Sequence, residues 1–282
     1  MTSGKETVVR EINGSEMELD IRPGSPNKIE RTLAVDGIRE PAATETFRAV
    51  LTELKDGRTA TIHAFDIGAN VGYFALLEAN ILGAQGEVYA VEAEPDNADR
   101  LEQNIERNEY TNIEVRQVAV GAERTRLELS LGSSSNLHQM SEVLGETDAG
   151  ETVEVDVYPL DSLIAEYGIP EDEVIIVRMD VEGYEARVFE GMRRLLTGDR
   201  PVYLFAEIHP IVGSVDATKI AETLEENGFT PEYLSFDGGN TYRQMDSLEE
   251  LKRARSNTHI MASRLGTETS PGRARDGLRG GE

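Results

Sequence analysis

Phe65-Asp66-Ile67-Gly68-Ala69-Asn70-Val71-Gly72-Tyr73 decides how this chain is read. It continues the run that starts at Ile62, so it reads as a buried strand, a tight glycine turn and a helix opening at about Val71. Gly68 is placed to let the backbone approach a ligand closely, and Gly72 to let the helix start pack against the strand. The spacing is DxGxNxG. Where a GxGxxG dinucleotide fingerprint has its middle glycine, this chain has Asn70, whose side chain would crowd a pyrophosphate.

The loop therefore suits a nucleotide-like ligand without a pyrophosphate, and S-adenosylmethionine (SAM) is the candidate this shape brings forward. A second strand, 87–91, ends in Glu92 about 20 residues beyond Gly72, where nucleotide-binding α/β folds place the acid that accepts hydrogen bonds from ribose hydroxyls. Each acid alone has a plainer reading, Asp66 as a helix cap and Glu92 as a solvated loop residue. Their matching positions in successive strand-turn-helix units favour the cofactor reading.

Strands and helices alternate on both sides of this unit. The pattern predicts helix 41–54 with Phe47, Val50, Leu51 and Leu54 on one face, strand 62–67, helix 71–82, strand 88–91, helix 97–108 and strand 113–120. It resumes with helix 161–167, strand 174–179, helix 185–196, strand 202–208, helix 215–227, strand 231–236, a Gly238-Gly239 turn and strand 258–263. Such alternation demands a doubly wound, mostly parallel sheet with right-handed crossovers. A hairpin of 126–131 and 152–158 is inserted around a polar loop. Short alternating stretches at 7–12, 17–21 and 29–35 predict an N-terminal β-hairpin or meander. The expected partition is an extension over 1–55, a ligand-binding domain over 56–265 and a disordered tail over 266–282.

A formal net charge of −25 argues against a nucleic-acid partner and an anionic membrane surface. The acid is dispersed, and lysine occurs only at positions 5, 28, 55, 219 and 252. That pattern fits a protein kept soluble in concentrated salt, so a halophilic source is expected. The chain has no cysteine, which excludes thiolate catalysis and zinc–cysteine sites. No run approaches a membrane span and residues 1–10 lack a signal-peptide core, so a cytoplasmic location is expected.

Ligands of open α/β sheets bind beyond the carboxyl ends of the strands. Strand 174–179 ends in Asp180, followed by Glu182, and strand 202–208 carries Glu207 and ends at His209. Asp180 and His209 form an acid/base pair at neighbouring edges of one crevice, with Glu182 and Glu207 positioning base or substrate. The plainer readings are a helix cap for Asp180, a capping box for Glu182 and an ordinary loop histidine for His209. Together the four offer hard metal ligands, although their spacing requires no metal. His63, His138 and His259 read as packing residues.

Asp66 to Gly72, Tyr89-Ala90-Val91-Glu92 and 101–108 resemble the first half of the FkbM-type SAM-dependent methyltransferases, and Val177-Arg178-Met179-Asp180-Val181-Glu182-Gly183-Tyr184-Glu185 resembles that family's KxDxEGxE signature. Arg178 replaces the usual lysine, and Ala93 the proline common after the ribose acid. The resemblance implies a seven-stranded sheet of the class I methyltransferase kind with an antiparallel last strand. It also implies O-methylation, commonly of a sugar or polyketide hydroxyl, and leaves the acceptor open; the acceptor expected here is a hydroxyl, or a uronic-acid carboxyl, of a small molecule, sugar, glycan or glycolipid. Asp66, Gly68, Asn70, Gly72 and Glu92 would then hold SAM, with Ala119 and Val120, at the end of the third parallel strand, lining the adenine slot. An RNA methyltransferase on the same fold and a non-catalytic SAM-binding protein are the alternatives; dispersed basic residues speak against the first and intact glycines and acids against the second. The oligomeric state is not legible.

The charge carries its own prediction. The thermal midpoint should rise between low and molar potassium chloride as screening relieves self-repulsion; a melt indifferent to salt over that range would count against the halophilic reading.

Overall fold

In the computed structural model, which describes residues 6–12, 15–21, 28–131, 139–140, 151–209, 217–236 and 239–265, the N-terminal alternation forms an antiparallel hairpin of β1 (Glu6–Ile12) and β2 (Ser15–Ile21). Met17, Leu19 and Ile21 point into the core. Residues 29–35, expected as a further short strand, instead lie in helix α1 (Lys28–Asp36). Leu33 is fully buried while Val35 is 83% exposed. Residues two apart share a face of a strand, but on a helix they stand about 200° apart. A buried ion pair between Glu30 and Arg100 anchors α1. Helix α2 (Pro41–Asp56) buries its expected stripe of Phe47, Val50, Leu51 and Leu54.

The core alternation follows as β3 (Ile62–Ile67), α3 (Tyr73–Leu82), β4 (Gly86–Val91), α4 (Pro95–Arg107) and β5 (Ile113–Arg116). The strand expected over 113–120 breaks at its middle. The Val118 N–H bonds back to the Arg116 carbonyl at 2.9 Å, a tight turn that ends β5. Ala119 and Val120 therefore form β6 (Ala119–Val120), which pairs with β9 (Glu151–Tyr158) in a second sheet and does not end the third parallel strand. That sheet is completed by β7 (Thr125–Leu131), the antiparallel partner of β9, and β8 (Gln139–Met140). Apart from β8, the loop between β7 and β9 lies outside the described residues, as do Gly238 and the tail from Gly266.

Helix α5 (Leu160–Tyr167) leads to β10 (Val174–Met179). The helix expected over 185–196 is two, α6 (Glu185–Gly191) and α7 (Arg193–Thr197). The Asp161 carboxylate accepts the N–H groups of Arg194 and Leu195 at 2.7 and 3.0 Å, so it caps a new helix start. Then come β11 (Val202–Ile208), α8 (Ala217–Glu226), β12 (Thr230–Ser235), the short β13 (Arg243–Gln244) and β14 (Thr258–Arg264).

The main sheet has the order β13-β12-β14-β11-β10-β3-β4-β5, eight strands where the resemblance implied seven, the extra one being the two-residue β13. Strands β11, β10, β3, β4 and β5 run parallel, and β14 is antiparallel to both its neighbours. Connections run from β3 towards β5 on one side and from β10 towards β12 on the other, so strand order reverses between β3 and β10. The crevice of a doubly wound sheet opens at that reversal. Among the described residues no helix is long and apolar enough to cross a membrane.

The two central strands are joined by a buried ion pair. Asp66 on β3 and Arg178 on β10 are register partners, and Arg178 Nη1 donates to Asp66 Oδ1 at 2.8 Å. The guanidinium also lies 4.0 Å from the Phe74 ring centroid, a cation–π contact. Arg178→Met would leave Asp66 charged and uncompensated, so it should cost about 3–5 kcal/mol, read as a lower urea midpoint. A midpoint unchanged within error would contradict this account of the pair.

Candidate active site

The turn after β3 is fastened from several directions. The N–H groups of Gly68 and Ala69 both donate to the Val91 carbonyl, at 2.9 and 3.1 Å. Gly68 has φ 79°, and a Cβ there would stand 2.1 Å from the Asp180 carbonyl oxygen. The close approach expected for a ligand is thus taken first by the end of β10. Gly72, at φ 95°, makes room for the Leu101 side chain, 2.5 Å from where its Cβ would stand; the tight packing is against α4, not the strand. Asn70 adopts a left-handed φ of 52°, which asparagine tolerates better than most residues. Asn104 Nδ2 donates to the Val71 carbonyl at 2.8 Å, while its Oδ1 accepts the Asp20 N–H at 2.8 Å, so α4 straps hairpin strand β2 to the turn.

Glu92 closes the other side. Its Oε2 accepts the Asn70 N–H at 2.7 Å and its Oε1 the Glu94 N–H at 2.9 Å. The Asn97 side chain also bonds to this carboxylate, and of its roughly four acceptor positions at least one remains for a hydroxyl. Burial pushes Glu92 up to about 7, against the two backbone hydrogen bonds that favour its ionised form. Asp66 is fully buried; Arg178 holds its Oδ1, and its Oδ2 has no hydrogen-bond partner. Ala119 and Val120 are buried in the second sheet.

Asp180, Glu182 and His209 come together at the ends of β10 and β11, each offering one ligand atom within 4.8 Å of the others. Arg39 Nη2 donates to Asp180 Oδ2 at 2.8 Å, while Asp180 Oδ1 is buried without a hydrogen-bond partner. His209 is 1% exposed. Its Nδ1 donates to Glu185 Oε1 at 2.6 Å, an oxygen that also accepts the Gly183 N–H at 3.0 Å. Its Nε2 faces Glu207 Oε1 at 3.3 Å and Glu182 Oε2 at 3.5 Å. Glu207 Oε2 in turn lies 3.4 Å from His259 Nε2. Glu182 is held at φ 49°, backbone strain of the kind that persists where surroundings over-determine a residue.

The electrostatics follow from crowding of acids. Burial alone would lower His209, but hydrogen bonds to Glu185 and Glu207 outweigh it and raise the imidazole to about 11. In this arrangement the ring holds both its protons at neutral pH. Burial and then the Asp180 charge push Glu182 up to about 8. Asp180 is raised by burial and by Glu207, against the pull of Arg39 and Arg178. Burial works to raise Glu207, yet hydrogen bonds from His209 and His259 hold it well below the carboxylate range.

The sequence-derived candidates thus fall into two adjoining groups, Asp66, Gly68, Asn70, Gly72 and Glu92 around the turn, and Asp180, Glu182, Glu207 and His209 beside it. Two members were not foreseen. Arg39, from the segment before α2, reaches Asp180 across 141 residues of sequence, and no local pattern marks it. Glu185 was visible as the last acid of the quoted motif, but its pairing with His209 was not. His63 does pack as expected, stacking on Tyr89 with its Nε2 2.6 Å from Glu173; His138 lies outside the described residues.

Residues 66–231 match the family described as the methyltransferase FkbM domain. The hexuronic acid methyltransferase AglP of Haloferax volcanii is 29% identical over 157 residues, 55% of this chain and 59% of that protein. The chain therefore spans a little over half the length of this relative. Among solved structures, a methyltransferase FkbM from Methylobacillus flagellatus aligns over 72% of this chain and 44% of its own at 14% identity, with a TM-score of 0.44. A SAM-dependent methyltransferase from Agrobacterium tumefaciens aligns over 92% and 70% at 11% identity, with a TM-score of 0.46.

Proposed function

For a chain that belongs to the FkbM methyltransferase family, we propose SAM-dependent methyl transfer to an oxygen of a sugar or glycan, with an acidic sugar as the preferred acceptor class. The choice of acidic sugar draws on the activity named for the Haloferax relative. The observation that carries the reading is the contact between the two groups: the Gly68 turn touches the backbone of Asp180, so a cofactor seated on one borders the other.

The residues fit this cofactor. Glu92 has an acceptor position left over for the ribose hydroxyls, and Asp66 Oδ2 is a buried oxygen without a donor, suited to a methionine ammonium. Ala119 and Val120, now presented from β6, keep their proposed place beside the adenine. Bound there, SAM supplies a methyl group already activated on a sulfonium. The protein's work is then alignment and removal of a proton. With both His209 nitrogens protonated, Asp180 Oδ1 is the group with a free lone pair to take a proton from an acceptor hydroxyl. Glu182 and Glu207 position His209, and Arg39 fixes Asp180. A carboxylate acceptor would need no base. A cytoplasmic setting and the partition at residues 55 and 265 belong to this proposal.

Glu92→Ala should weaken SAM binding by about 2–4 kcal/mol in calorimetry, because charge-assisted hydrogen bonding to the ribose and the brace of the turn are lost; unchanged affinity would remove the ribose assignment. Ribose hydroxyls favour the ionised carboxylate. Affinity of the unaltered chain should therefore fall as pH drops below about 7, relative to Glu92→Gln, in which this position does not titrate.

Asp180→Asn should lower turnover on a hydroxyl acceptor by roughly 10²–10⁴ and leave SAM affinity nearly intact. Full activity in that variant on a verified substrate would shift the account to methyl-ester formation on a carboxylate.

A further inference from the structure

The geometry points to a divalent-cation site formed by Asp180, Glu182 and His209 at the mouth of the SAM crevice, a site that would hold the acceptor's oxygen atoms. What the cation does there rests on the methyltransferase reading; that it binds does not.

Three observations carry the assignment. The donor atoms of the three side chains lie within 4.8 Å of one another. Ligands on opposite sides of a divalent cation stand about 4.2 Å apart for Mg²⁺ and about 4.6–5.2 Å apart for Ca²⁺, so small side-chain shifts close the sphere. Asp180 supplies the second observation. Its side chain is 8% exposed, Arg39 holds Oδ2, and Oδ1 is buried in the cluster with nothing to accept from. A buried carboxylate oxygen without a donor is costly in a protein interior, and a metal ion removes that cost.

The third observation is the support behind His209. Its Nδ1 is fixed at 2.6 Å by Glu185, itself fully buried and braced by the Gly183 N–H. That fixes the ring so that Nε2 turns towards Glu182 and Glu207. A carboxylate behind the far nitrogen is the arrangement that orients a metal-bound histidine and makes it a better ligand. Coordination needs the Nε2 lone pair, so the cation would take the place of the Nε2 proton and engage Asp180 Oδ1, the two atoms described above for the metal-free cluster. Two carboxylates with one imidazole suit a transition ion such as Mn²⁺ better than the harder Mg²⁺ or Ca²⁺, both of which take oxygen ligands. Sugar hydroxyl and carboxylate oxygens would complete the coordination.

The test uses the full chain stripped with EDTA and titrated with Mn²⁺ alone, read by electron paramagnetic resonance. One tight equivalent per chain is expected, weakened in Asp180→Asn and in His209→Gln by more than the roughly 10–100-fold that loss of a partner behind a ligand costs. Glu154→Gln, an exposed acid on β9, should leave it untouched and so sets aside the general affinity of an acidic surface. Pulsed measurements on the unaltered chain should show nitrogen modulation from a directly bound imidazole, a readout that does not depend on the variants folding. Absence of a tight equivalent, bound Mn²⁺ without nitrogen modulation, or equal binding by both folded variants would each overturn the site. SAM affinity measured on the same stripped sample separates the two proposals. Tight Mn²⁺ without SAM binding would fell the methyltransferase reading alone, and SAM binding without tight Mn²⁺ would fell the cation site alone.

Discussion

The contact on which the rest of this molecule depends is between two pieces of backbone, Gly68 and the carbonyl of Asp180. It exists because β3 and β10 are adjacent and in register at the point where strand order reverses. The Asp180 N–H also donates to the Ile67 carbonyl at 3.0 Å, extending the pairing to the last residue before the turn. One strand end therefore delivers a ligand-sized turn and its neighbour delivers an acid, with no side chain between them. Any residue larger than glycine would force these strand ends apart.

Beneath this contact the sheet holds charges that cannot reach water. Asp66 and Arg178 neutralise each other, and Phe74 covers the guanidinium. Glu78, fully buried on α3 near Asp66, is pushed well above the carboxylate range by burial and by that neighbour's charge. The site above is poorer in cations than in acids, and His209 gathers the deficit. Burying charge in this way is seldom the cheapest route to stability.

The legible parts of this fold were those whose signal is local. The DxGxNxG turn, the acid at Glu92 and the stretch 177–185 each lie within a few residues, and the strands that present them read as short apolar runs. Arg178 in place of lysine was visible, and its partner Asp66 follows from strand register. Less legible were features decided by tertiary contact. Ala119 and Val120 looked like the end of a long strand because a turn at 116–118 has no glycine or proline to announce it. Residues 29–35 alternate well enough for a strand, yet the Glu30–Arg100 pair and Leu33 claim one helical face. The Glu185–His209 bond spans 24 residues, and the reach of Arg39 spans far more.

The match to the family covers residues 66–231, and two of the side chains that shape the cluster fall outside it. Arg39 precedes the matched span and grips Asp180; His259 follows it and flanks Glu207. The shared core thus carries the glycine turn and the acids, while the flanks set the charge that those acids feel. A change at Arg39 or His259 would alter the charge around Asp180 and Glu207 with every residue of the matched span left intact. Family membership read from the matched span alone is then silent on the surroundings that its acids experience.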